Sequence, residues 1–165
     1  MTPQPTPALL VFLRCFRSLI LVSCISGVLY AGDDTEANKF VRVHAEITQS
    51  TLQQGQQGEL SILFTPIDGI HITSDPAMKI DIDSKGPFRP QGKPREAVDS
   101  STGYLSSDEP VMQVFNVSPR APTGQQRLKA NITYYFCSDD EGWCRKFVQT
   151  IDLPVQVEKP AAHKR

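Results

Sequence analysis

Cysteine is scarce in this 165-residue chain, and of its four cysteines Cys15 and Cys24 lie near the N-terminus, leaving only Cys137 and Cys144 in the rest. No CxxC spacing occurs, and the three histidines, His44, His71 and His163, are scattered without an HxxxH pattern. Both absences argue against a metal site, because a zinc-type centre needs three or four ligands at close spacing. A nucleophile elbow, a phosphate-binding loop and a catalytic carboxylate pair are also missing, so neither a cofactor nor a small-molecule substrate is expected. Charge of one sign is lacking too: 17 basic residues stand against 18 acidic ones, with no basic patch, which speaks against nucleic acid as a partner. No stretch shows helical periodicity, and no internal repeat appears.

A long apolar run is absent as well. The N-terminus instead has Arg14 and Arg17, a short apolar segment over residues 18–29, and the small residues Ala31 and Gly32. Basic, apolar and small segments in that order predict a secretory signal peptide over residues 1–31, the apolar part being shorter than the ~20 residues of a membrane span. Export to the periplasm or beyond is the expectation. The lesser alternative is a lipoprotein, because Leu21-Val22-Ser23-Cys24 resembles a lipobox that would leave Cys24 lipidated. Cleavage after Ala31 leaves 134 residues, a common size for one domain, with 15 basic and 18 acidic side chains.

Beyond a polar lead at 32–38, residues 39–48 alternate, with Val41, Val43, Ala45 and Ile47 on one side and Arg42, His44 and Glu46 on the other. That period of two predicts a half-buried strand. The same pattern predicts strands at 59–65, 70–73, 78–83, 111–117 and 127–136, and less cleanly at 146–153, where Pro154 hints at an edge or a bulge. Residues 53–58 read as a Gln/Gly loop, and residues 88–108, rich in Pro, Gly, Ser and charge, as a long surface loop. Seven or so short strands separated by turns predict an all-β, immunoglobulin-like β-sandwich over 39–158, a Greek-key barrel giving the same pattern, with a solvated tail at 159–165.

The chemistry concentrates in Phe136-Cys137-Ser138-Asp139-Asp140-Glu141-Gly142-Trp143-Cys144-Arg145-Lys146-Phe147. Six residues separate the cysteines and both flanks are strand-like, so a hairpin would bring their Cα atoms within the ~4.4–6.8 Å that a disulfide requires. A bond that closes so short a loop contributes about 2.5 kcal/mol by the chain-entropy formula, a modest clip for a domain of this size. One reading is therefore a non-catalytic binding module with a structural disulfide; the other is a redox pair, exposed at a loop tip where a partner thiolate can attack. Arg145 and Lys146 favour a thiolate at Cys144, whereas Asp139, with Asp140 and Glu141, disfavours one at Cys137. Trp143 would shield the bond, meet a partner, or cap one end of the core.

The run Ile132-Thr133-Tyr134-Tyr135-Phe136-Cys137 followed by Gly142-Trp143-Cys144 resembles the cysteine hairpin of the N-terminal periplasmic domain of the thiol:disulfide interchange protein DsbD and related disulfide-corrector domains. Asp68-Gly69-Ile70-His71-Ile72 resembles the turn and strand before that family's central region. The resemblance implies an immunoglobulin-like fold, Cys137 and Cys144 as the exchanging pair, and Cys144 as the sulfur that forms mixed disulfides. It also implies partners: a thioredoxin-like electron donor and periplasmic thiol proteins as targets, in a role linked to cytochrome biogenesis. In that family a loop bearing an aromatic residue covers the cysteines; residues 96–108 occupy the matching region, and Tyr104 is their one aromatic residue. Where family members often carry tyrosines after the Asp-Gly turn, this chain has Ile70 and His71, and His71 is expected to be a strand residue facing solvent.

Overall fold

The computed structural model describes residues 38–161. The signal segment, the lipobox cysteine Cys24, most of the polar lead and residues 162–165 of the tail lie outside the described residues. Nine strands, and among the described residues no helix, form two sheets. They run β1 (Val41–Ile47), β2 (Thr51–Gln53), β3 (Gln57–Pro66), β4 (Ile70–Ile72), β5 (Lys79–Ile82), β6 (Phe88–Pro90), β7 (Val111–Val117), β8 (Gly124–Ser138) and β9 (Trp143–Glu158). One sheet has the order β1-β3-β7-β6; the other has β2-β9-β8-β4, with β5 pairing farther along β8. All pairings are antiparallel except β2 with β9.

The expected all-β fold follows from which side chains alternate inward. Leu60, Ile62 and Phe64 of β3 and Val111, Phe115 and Val117 of β7 face Leu128, Ile132, Tyr134 and Phe136 of β8, and all are buried. Period-two strands with one apolar face can bury that face only against a second sheet, which makes the sandwich. Gln113 is a buried polar residue, as is Ser138, and its Nε2 donates to the backbone oxygens of Gln91 and Val114 at 3.2 and 2.7 Å, so its amide is not stranded. Tyr134, fully buried, accepts a hydrogen bond from Asn38 Nδ2 at 3.0 Å, and burial pushes its phenol pKa up.

Two sequence expectations need correction. Residues 88–108 are not a featureless loop: they begin with β6 and then fold into a small hairpin in which Val98 bridges Leu105. Asp99 closes its turn, accepting hydrogen bonds from the Ser101 backbone and hydroxyl at 2.8 and 2.7 Å. Those bonds hold the Asp99 carboxyl below its usual pKa. The Gln/Gly loop at 53–58 is likewise shorter than expected, because Gln57 and Gly58 already belong to β3.

Candidate functional site: the cysteine pair at the tip of the long hairpin

Strands β8 and β9 form a hairpin with fifteen registered pairs, from Gly124 opposite Val157 to Ser138 opposite Trp143. Its turn, Asp139 to Gly142, is held by Gly142 N–H donating to Ser138 O at 2.9 Å and Glu141 N–H donating to Ser138 Oγ at 3.3 Å. Gly142 has φ 65°, the left-handed conformation for which glycine is favoured. One step back from the turn Cys137 lies opposite Cys144, Cα to Cα 4.1 Å, and the two are joined as a disulfide. The separation is close to the ~4.5 Å of directly opposed residues that do not exchange backbone hydrogen bonds.

The two sulfurs are not equivalent. Cys137 keeps 7 % of its surface, whereas Cys144 is exposed on β9. Inward residues of β8 are Leu128, Ala130, Ile132, Tyr134 and Phe136, so Cys137 belongs to the outer face, and what buries it must lie outside the sandwich core. The register supplies the covering groups: His71 of β4 stands opposite Cys137 on its other side, giving the row His71, Cys137, Cys144 across three strands. Tyr104 then covers His71. The small hairpin docks along β4, with Leu105 N–H donating to Ile72 O at 2.8 Å and Tyr104 bridging Thr73. The Tyr104 ring stacks on the His71 imidazole at 4.6 Å between centroids and 5° between planes.

Asp139 completes the cluster. The Tyr104 hydroxyl donates to its carboxylate at 2.7 Å, which raises the phenol pKa, and His71 Nε2 lies 3.7 Å from its Oδ2. The loop residue Tyr104 and the turn residue Asp139 thus meet at the cysteine pair. His71 is the expected strand residue on the outer face, its side chain 43 % exposed and partly covered by Tyr104. Its position could have been anticipated only from pairing between β4 and β8, which sequence pattern does not specify.

Trp143 and Arg145 lie elsewhere. Neighbours in a strand point to opposite faces, so residues 143 and 145 lie on the other face from Cys144, Trp143 half-buried and Arg145 exposed. Trp143 packs edge-on against Phe40 and Phe136 at 5.3 and 5.9 Å, capping one end of the core, and its indole N–H donates to Glu141. The Arg145 guanidinium lies over the Trp143 ring at 4.4 Å. Trp143 and Arg145 thus lie on the other face of β9 from Cys144, a placement the period-two rule carries. Lys146, opposite Tyr135, shares the outer face with Cys144. Among the described residues, no group of three metal-ligating side chains comes together.

No family model and no curated protein matches this chain. A solved structure with some likeness is a lipoprotein from Bacteroides thetaiotaomicron determined by solution NMR. The two are 12 % identical over 81 % of this chain and 96 % of that one, with a TM-score of 0.27. So loose a likeness carries neither fold nor function.

Proposed function

We propose that this chain is an exported thiol–disulfide exchange protein, built on an immunoglobulin-like sandwich, that passes reducing equivalents between a thioredoxin-like donor and disulfides of target proteins. The observation that carries the reading is the asymmetry of the pair: an exposed Cys144 bonded to a buried Cys137 that has His71 beside it on the next strand. An incoming thiolate must approach a disulfide sulfur directly, so access selects Cys144 for the mixed disulfide and leaves Cys137 as the departing thiolate. In the reverse direction Cys144 attacks the target and Cys137 resolves the intermediate. Lys146 on the same face favours a thiolate at Cys144, in keeping with the hairpin's resemblance to the disulfide-corrector family.

The competing reading is a binding module with a structural clip, and one trapping experiment separates them. The oxidised chain is mixed with a thioredoxin whose resolving cysteine has been replaced by serine, and the products are mapped by mass spectrometry. A covalent adduct on Cys144, absent from a Cys144→Ser variant, is the expected result. An oxidised chain that forms no adduct contradicts the proposal.

A further inference from the structure

Cys137 poses a chemical problem that its position makes acute. To resolve a mixed disulfide it must act as a thiolate, yet it is 7 % exposed, and removal from water disfavours the charged sulfur. The nearest cationic side chain on the outer face of the hairpin, Lys146, lies two residues beyond Cys144, on the far side of the pair from His71. A buried thiol in this setting needs a base at hand.

We propose that His71 is that base: it takes the proton from the Cys137 thiol during resolution and returns it to the departing thiolate, with Asp139 and Tyr104 holding the ring. The inference rests on the exchange function proposed above and assigns the proton within it. Directly opposed residues of an antiparallel pair have Cβ atoms ~4.5–5.5 Å apart on the same face, which puts the imidazole within reach of the sulfur. Tyr104 stacked on one side of the ring, and Asp139 Oδ2 3.7 Å from Nε2, limit its rotation and offer a negative charge to the protonated ring. The carboxylate is itself oriented by the Tyr104 hydroxyl at 2.7 Å. Nucleophile, base and orienting carboxylate are the three parts of an activated cysteine.

The steps balance as follows. The Cys144 thiolate attacks one sulfur of a target disulfide, forms the mixed disulfide, and releases the first target thiolate, which takes a proton from water. His71 accepts the proton of the Cys137 thiol; the Cys137 thiolate attacks the Cys144 sulfur, closing the intramolecular disulfide and expelling the second target thiolate. The imidazolium protonates that leaving group. Two electrons pass from the cysteine pair to the target, and His71 ends neutral as it began.

The groups facing His71 are Cys137 and Tyr135 from β8, Asp139 from the turn and Tyr104 from the small hairpin, with Cys144 and Lys146 one strand farther on. The test uses the full chain carrying Cys15→Ser and Cys24→Ser, reduced and mixed with glutathione disulfide, and quenched at intervals for mass spectrometry. In the parent, the Cys144–glutathione adduct should decay as fast as it forms. In His71→Ala and His71→Gln its formation should be unchanged while its decay slows by tenfold or more, the lower part of the range for general-base catalysis at ~10²–10⁴. Added imidazole should restore the decay of His71→Ala. Well above the unperturbed thiol pKa of ~8.5, at a pH high enough to overcome the burial of Cys137, the variants should converge on the parent, because Cys137 then ionises unaided. Equal decay in parent and in a folded variant overturns the inference, as does slow decay that neither imidazole nor high pH relieves. A parent that forms no adduct at all fails the exchange reading itself, and the proton assignment with it.

Discussion

At Cys144 the sulfur belongs to an exposed strand residue, while Cys137, across the pair, is buried and stands opposite His71, on whose ring Tyr104 stacks. Access and local charge act in the same direction on the reduced protein: solvent and Lys146 favour reaction at Cys144, and burial with Asp139 nearby works against it at Cys137. Brief treatment of the reduced chain with iodoacetamide should therefore modify Cys144 about tenfold faster than Cys137 or more, as read by peptide mass spectrometry, since thiol reactivity follows thiolate character and access. Comparable rates at the two positions would mean that the asymmetry is not maintained after reduction. The tyrosine matters here through Asp139. By accepting from the phenol, the carboxylate is held beside the turn rather than left to swing into solvent.

Among the elements, strands of seven or more residues with strict alternation were legible because one face meets the core: β1, β3, β7 and β8 all appear where the period of two put them. The three-residue strands β2 and β6 were not, because each buries a single side chain and so shows no alternation, whereas β4, equally short, carries two buried isoleucines about His71 and was legible. Nor was the full extent of β9, whose polar start at Cys144 to Lys146 pairs with β8 through the backbone and needs no apolar pattern. The small hairpin was hidden for another reason. It attaches to β4 by isolated bridges and backbone bonds, and the turn residues Asp99 to Gly103 between Val98 and Tyr104 were its only trace. Gly58 shows how an element's packing can hang on one residue that composition assigns to a loop. A Cβ there would come 2.5 Å from the Phe115 ring and 2.6 Å from Leu52 Cδ1, so β3 leaves room for both only with glycine. Gly58→Ala should cost about 1–3 kcal/mol in urea unfolding through overpacking. An unchanged midpoint would mean that the ring moves aside freely.

For the whole molecule, the cysteine pair was legible as a facing pair, but the group around it was not, because His71, Tyr104 and Asp139 come from three segments that only the tertiary pairing unites. The fold should survive reduction of the bond they surround. Two sheets share an extensive apolar core, and the β8–β9 hairpin is registered along its whole length, so a clip at its tip adds about 2.5 kcal/mol to a domain that already holds the two strands together. An attackable disulfide that adds so little to the sandwich is what the proposed exchange function calls for. The equilibrium reduction potential of the Cys137–Cys144 pair against a glutathione or thioredoxin couple tests this most directly. The account predicts a value above about −300 mV, in the range where thiol–disulfide partners exchange, with the sandwich still folded when reduced. A value well below about −300 mV, with no exchange with a thioredoxin-like donor, would contradict it and leave the bond a structural clip.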